Sequence, residues 1–167
     1  TPNGLPILPA DFRLTDFITL WHLPAPVPTD DAILGTNQAD GLVGTSANDR
    51  FLVSAGADTI DGGAGFDILD LSAATAGQRL ELLASPTNRG LAAGQTHLGI
   101  EGITGSRFSD SLTGGGGDNL LDGGDGNDHL DGGTGLNYLE GGTGNDTYIV
   151  DDNGDSLYEA GGQGIDT

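Results

Sequence analysis

Cysteine, methionine and lysine are absent from this chain, and aromatic residues make up only 5% of its 167 residues. Without cysteine, no disulfide framework holds the fold and no Cys-based zinc site exists. Without lysine, the only cations beside three histidines are five arginines, set against 25 acids for a formal net charge of −20. That is far beyond what solubility needs, and it argues against nucleic acid and acidic membrane surfaces as partners. No apolar run approaches the roughly eighteen residues of a membrane span. No charged-then-apolar leader opens the chain at Thr1. The pattern is still running at Gly164 to Thr167, so the chain reads as a fragment or processed piece of something longer.

With few aromatics and 31 glycines, the composition alone would permit disorder. The phase of the residues argues otherwise. Aspartate or asparagine recurs every nine residues at Asp40, Asp49, Asp58 and Asp67, then at Asp110, Asn119, Asp128, Asn137, Asp146 and Asp155. Two residues after each stands an apolar side chain: Leu42, Phe51, Ile60, Leu69, Leu112, Leu121, Leu130, Leu139, Tyr148 and Leu157. A nine-residue period fits neither an α-helix nor an uninterrupted strand. The chain must coil in short turns, each burying its apolar residue against its neighbours as a repeat solenoid does.

The best-formed units are GGAGFDILD (Gly62 to Asp70), GGDGNDHLD (Gly123 to Asp131) and GGTGNDTYI (Gly141 to Ile149). They match G-G-x-G-x-D-x-U-x with U apolar, and the chain resembles the RTX, or hemolysin-type calcium-binding, family over Gly35 to Asp70 and Gly105 to about Thr167. The resemblance implies an all-β fold: a right-handed parallel β-roll with two repeats per coil and several calcium ions between stacked turns. Calcium takes six to eight hard oxygen ligands from carboxylates and backbone carbonyls. Glycines at positions one, two and four allow a tight turn that presents carbonyls inward, and the sixth-position acid adds carboxylate oxygens.

The metal-site candidates are therefore Asp40, Asp49, Asp58 and Asp67 with Gly62, Gly63 and Gly65 in the first block. In the second they are Asp110, Asn119, Asp128, Asn137, Asp146 and Asp155, with Gly114, Gly115, Gly117, Gly123, Gly124, Gly126, Gly132, Gly133, Gly135, Gly141, Gly142 and Gly144. Stacking every second unit pairs Asp40 with Asp58, Asp49 with Asp67, Asp110 with Asp128 and Asp128 with Asp146. On the opposite edge of the second block, Asn119 pairs with Asn137 and Asn137 with Asp155. Neutral amides there predict weaker binding or fewer ions. Stacked carboxylates repel until a cation sits between them, so the repeats are expected to fold only with calcium.

Along the chain, residues 1–34 read as a proline-rich cap or linker, with Pro2, Pro6, Pro9, Pro24, Pro26 and Pro28 around the apolar stretch Phe12 to Leu23. Residues 35–70 are the first repeat block and 71–104 a non-repeat β insert. In the insert, the alternations at Arg79 to Leu83 and Leu98 to Ile103 predict two strands joined by a polar loop near Asn88-Arg89-Gly90. Residues 105–149 are the second block, and 150–167 a truncated post-repeat segment.

Asp61, Asp70, Asp122, Asp131 and Glu140, at the ninth position, read as outer-face or turn-entrance residues rather than ligands. His22, His97 and His129 form no metal-spaced pair, and no HExxH occurs. No nucleophile lies beside a base. Glu81 and Glu101, in alternating strands, read as solvated faces, and the chain itself is expected to be non-catalytic. The resemblance further implies an extracellular bacterial protein, exported unfolded by type I secretion machinery and folding on external calcium to stabilise attached domains. Two other readings stay open: an adhesin or surface-layer module bridging cell-surface partners through calcium, and a carbohydrate-active β-helix enzyme module. Against the last, the insert holds no Trp, Tyr or Phe.

Overall fold

Each nine-residue unit closes on a strand of two or three residues centred on its apolar position. The computed structural model describes residues 32–83, 87–151, 154–159, 164–165 and 167. The cap or linker read at the N-terminus falls, up to residue 31, outside the described residues. The strands are β1 (Ile33–Leu34), β2 (Gly41–Val43), β3 (Arg50–Leu52), β4 (Thr59–Asp61), β5 (Ile68–Asp70), β6 (Arg79–Glu81) and β7 (Thr96–Leu98). They continue with β8 (Gly102–Thr104), β9 (Ser111–Thr113), β10 (Leu120–Asp122), β11 (His129–Asp131), β12 (Tyr138–Glu140), β13 (Thr147–Ile149) and β14 (Ser156–Tyr158). The helical features among the described residues are 3₁₀, at Thr87 and at the Gly90–Ala92 turn.

Every strand pairing is parallel, and within a block each strand pairs with the next but one: Leu42 with Ile60, Phe51 with Leu69, Leu112 with Leu130, Leu121 with Leu139. Two units thus make one coil, and the fold is an all-β parallel roll. One face is a seven-stranded sheet in the order β1-β3-β5-β8-β10-β12-β14. The other is divided into β2-β4-β7 and β13-β11-β9-β6.

Alternation along a strand sends its central residue inward. Phe51, Leu69, Ile103, Leu121 and Leu139 from the first face meet Ile60, Leu80, Leu112 and Leu130 from the second, all essentially without solvent exposure. Each such burial contributes about 1.5–3 kcal/mol. The aspartates supply no apolar area, so the ladder of small cores is narrow, one side chain wide per strand. A second cluster, Phe66, Ile68, Leu120 and Tyr138 with Tyr158 against it, lies on the outward side of the seven-stranded sheet.

The insert keeps the first face in register and breaks the second. β5 pairs directly with β8, Leu69 against Ile103, so the sheet runs through both blocks. On the other face β7 adds to β4, while β6, which precedes it in the chain, adds to β9. The chain therefore moves ahead, turns back through Gly90–Ala92, and resumes. The alternation at Arg79 to Leu83 does yield a strand, Arg79–Glu81. That at Leu98 to Ile103 is not one strand but the end of β7, a corner, and β8. Gly99, at φ +59, turns that corner, and a period-two pattern cannot register it.

Candidate metal centre

Most repeat glycines occupy backbone that a side chain would strain or block, whereas Gly115 and Gly117 leave room for a Cβ. Gly63, Gly124, Gly133 and Gly142, second in their units, have φ between +73 and +93. A Cβ on each would strike a carbonyl oxygen of the preceding coil, from Thr45, Ser106, Gly115 and Gly124 respectively. Coils approach here at backbone distance, which leaves the turn carbonyls crowded around the stack. The Gly114 to Gly117 turn is built without a positive φ.

All six pairs expected from stacking are brought together, and by one recurrent bond. The backbone N–H of each sixth-position residue donates to a side-chain oxygen of its partner one coil on. Asp40 donates to Asp58 at 2.9 Å, Asp49 to Asp67 at 2.7 Å, Asp110 to Asp128 at 2.8 Å and Asp128 to Asp146 at 2.7 Å. Asn119 donates to Asn137 and Asn137 to Asp155, both at 2.9 Å.

What the second side-chain oxygen does divides the positions. In Asp40, Asp49 and Asp110 it turns back on its own loop, accepting from the N–H groups of Thr36, Thr45 and Ser106, each at 2.6 Å. Asn119 uses its single side-chain oxygen, Oδ1, to accept from Gly115. In Asp67 and Asp128 the second oxygen, Oδ2, is buried with no hydrogen-bond donor. Each faces the first glycine of its own unit, Gly62 or Gly123, where a Cβ would collide with it. Burial pushes the Asp67 carboxyl up to about 6, with Glu101 and Asp49 adding repulsion. It pushes Asp128 up to about 7, with Asp110, Asp146 and Asp122 adding theirs.

A buried carboxylate oxygen without a donor, among like charges and turn carbonyls, is stabilised either by a proton or by a cation. The donor set is all oxygen and suits a hard cation such as calcium. Among the described residues no three carboxylate or imidazole side chains converge on one point. Any ion must therefore draw on backbone carbonyls as well as stacked pairs.

Three further residues hold sixth-position places in the insert. Glu101 Oε2 accepts from the Asp67 N–H at 3.0 Å, as an aspartate would. The Gln78 N–H donates to Asp110 at 2.6 Å, and buried Gln95 donates to Asp58. Sequence reasoning placed Glu101 on a solvated face. The available signal was the same polar-x-inward spacing, here Glu101-x-Ile103, Gln95-x-His97 and Gln78-x-Leu80, without the glycines that mark a unit.

The ninth-position acids sit at turn entrances. Asp61 and Asp131 accept from the N–H groups of Gly63 and Gly133, at 3.2 and 3.0 Å. Asp70 accepts from Ser72 at 2.7 Å and is ion-paired with Arg50. His129 is exposed, and His22 lies outside the described residues. His97 is half-buried, its Nδ1 without a partner, and burial holds its pKa down to about 4. A cleft of about 270 Å³ opens at the insert between Leu82, His97, Glu101 and the Gly115 to Asp118 turn.

The sequence matches the family model of the RTX calcium-binding nonapeptide repeat, in four copies, over residues 30–71, 99–130 and 122–157. These matches cover more than half of the chain, and it belongs to that family. The repeats of that family are calcium-binding structural units. No curated protein matches the chain, and no described helix is long and apolar enough to cross a membrane.

Proposed function

We propose that this chain is a calcium-dependent folding module of a secreted protein, which orders on meeting extracellular calcium and stabilises the domains attached to it. The observation that carries the reading is the pair of buried, donorless carboxylate oxygens on Asp67 and Asp128, each inside a file of like charges. Asp49 with Asp67, Asp110 with Asp128 and Asp128 with Asp146 would hold the ions, with carbonyls of the glycine turns completing the shell. The cation would supply charge neutralisation between coils, and the chain supplies the geometry.

Absent disulfides and a core one side chain wide leave few other sources of stability. Extracellular calcium modules bind at about 10⁻⁴ to 10⁻³ M. Such affinity would keep the repeats unfolded in a low-calcium cytosol, suited to type I export, and folded outside. No turnover is assigned to the chain, whose acids in phase are used in stacking. The test is circular dichroism of the metal-stripped chain, in which β-structure should be lost and then restored by millimolar calcium but poorly by magnesium, which demands a smaller octahedral shell. Equal β content with and without calcium would sink the reading.

A further inference from the structure

Among the amide side chains at sixth-position places, Asn137 and Gln95 each turn their nitrogen onto a second-position carbonyl and a sixth-position carboxylate. Asn137 accepts from the Asn119 N–H through Oδ1, as Asp128 accepts from Asp110. That bond fixes the orientation of the amide, so its nitrogen stands where Asp128 has its donorless Oδ2. Asn137 Nδ2 donates to Gly133 O at 3.0 Å, Gly135 O at 3.5 Å and Asp155 Oδ1 at 3.2 Å.

Gln95, wholly buried, comes from the insert rather than from a repeat. Its Nε2 donates to Ser54 O at 3.0 Å, Asp58 Oδ2 at 3.0 Å and Leu91 O at 3.2 Å. Ser54 is second in its unit, as Gly133 is in its own. In both places one amide nitrogen bridges the second-position carbonyl and a sixth-position carboxylate. Asp67 and Asp128 are likewise faced by carboxylates of neighbouring turns.

We infer that Asn137 and Gln95 are built-in cation surrogates: their amide nitrogens occupy two of the inter-coil cradles, so those turns close without calcium and the metal requirement is confined to the all-carboxylate positions. An amide N–H₂ offers two donors and a partial positive charge, enough to satisfy carbonyls and one carboxylate while carrying no ion. This inference rests on the calcium reading above and deepens it, since it states which turns would bind the ion and which would not.

The conversion Asn137→Asp or Gln95→Glu replaces the donor with an oxygen and should create a calcium position in each case. Calcium titration calorimetry of the full chain, with native mass spectrometry to count ions, reads the result. Each variant should bind about one more ion than the wild type and lose more β-structure on chelation. Asn127→Asp, which adds the same charge at an exposed turn residue outside the cradles, should leave the ion count unchanged. If the wild type binds calcium but the conversions add no ion, or either variant fails to fold at any calcium level, the surrogate assignment is overturned and the calcium reading stands. If the wild type binds no calcium, both fail.

Discussion

Asp128 is held from two sides: its Oδ1 accepts the Asp110 N–H at 2.8 Å while its own N–H donates to Asp146 Oδ1 at 2.7 Å. It is the middle rung of a three-coil file, and its other oxygen is buried without a donor. Replacing Asp128 with Ala should therefore remove ligands from two inter-coil positions at once. Asn137→Ala should instead leave the ion count unchanged and cost about 1–3 kcal/mol, the penalty for turn carbonyls stripped of their donor. Calorimetry showing equal ion loss in the two variants would refute this pairing of loops.

The turn glycines give a steric test. At Gly124, φ is +93 and a Cβ would strike Ser106 O. Gly124→Ala should destabilise the calcium-loaded roll by more than about 1 kcal/mol. Gly41, in β2, has nothing within 4 Å of a Cβ, and Gly41→Ala should stabilise by about 0.5–1 kcal/mol, since glycine within a strand carries that entropic penalty. Thermal melts in saturating calcium decide it, and similar melting shifts of one sign would contradict the turn geometry.

Acid should partly replace calcium. Burial raises the carboxyls of Asp67 and Asp122 to about 6, and those of Asp128 and Glu140 to about 7. Ionising them costs stability in the fold, so the metal-free roll is best below the unfolded carboxyl range of about 4 and weakens as pH rises through about 7. His97 acts oppositely: lowered to about 4, its contribution is whole above about 6.5 and lost as pH falls. Asp110 is raised by burial as well, and these five carboxyls outweigh His97 and the surface Glu81, which its bond to Arg79 holds down. By circular dichroism the metal-stripped chain should recover more β-structure at pH 5 than at pH 8, and the reverse order would exclude the carboxyls as the controlling groups.

Glu101 should behave as a member of the repeat despite lying in the insert. Its Oε2 accepts from Asp67 at 3.0 Å, and its charge helps raise the Asp67 carboxyl. Glu101→Gln keeps an acceptor but removes the charge, so calcium binding at the Asp67 turn should weaken by about tenfold or more while β8 stays paired. Glu81→Gln, outside the files and bonded to Arg79 at the surface, serves as the control. Matching calcium isotherms for the two variants would return Glu101 to a merely structural role.

Most of the roll was legible because two periodicities coincide: Asp128 marks the turn and Leu130 the inward strand, and an eighteen-residue coil follows from stacking every second unit. The pairings Asp110 with Asp128 and Asn119 with Asn137 came directly from that spacing. The insert was less legible. Gln78, Gln95 and Glu101 take sixth-position places without the G-G-x-G run that marks a repeat, and their neighbouring glycines fall out of its phase. The corner at Gly99 likewise lay hidden in an apparent alternation. The role of the amides depended on which atom faces which oxygen, and spacing alone carries no such information.

The unbroken sheet from β1 to β14 and the divided sheet opposite it give the roll a spine on one side and a seam on the other. A pull or a loss of ions at either end would travel along the spine through Leu69 and Ile103, coupling the two blocks into a single mechanical unit. The seam between β7 and β6, with no ladder across it, is where that unit would first part. What reads in sequence as two blocks and a spacer is, in its mechanics, one rod scored on one side.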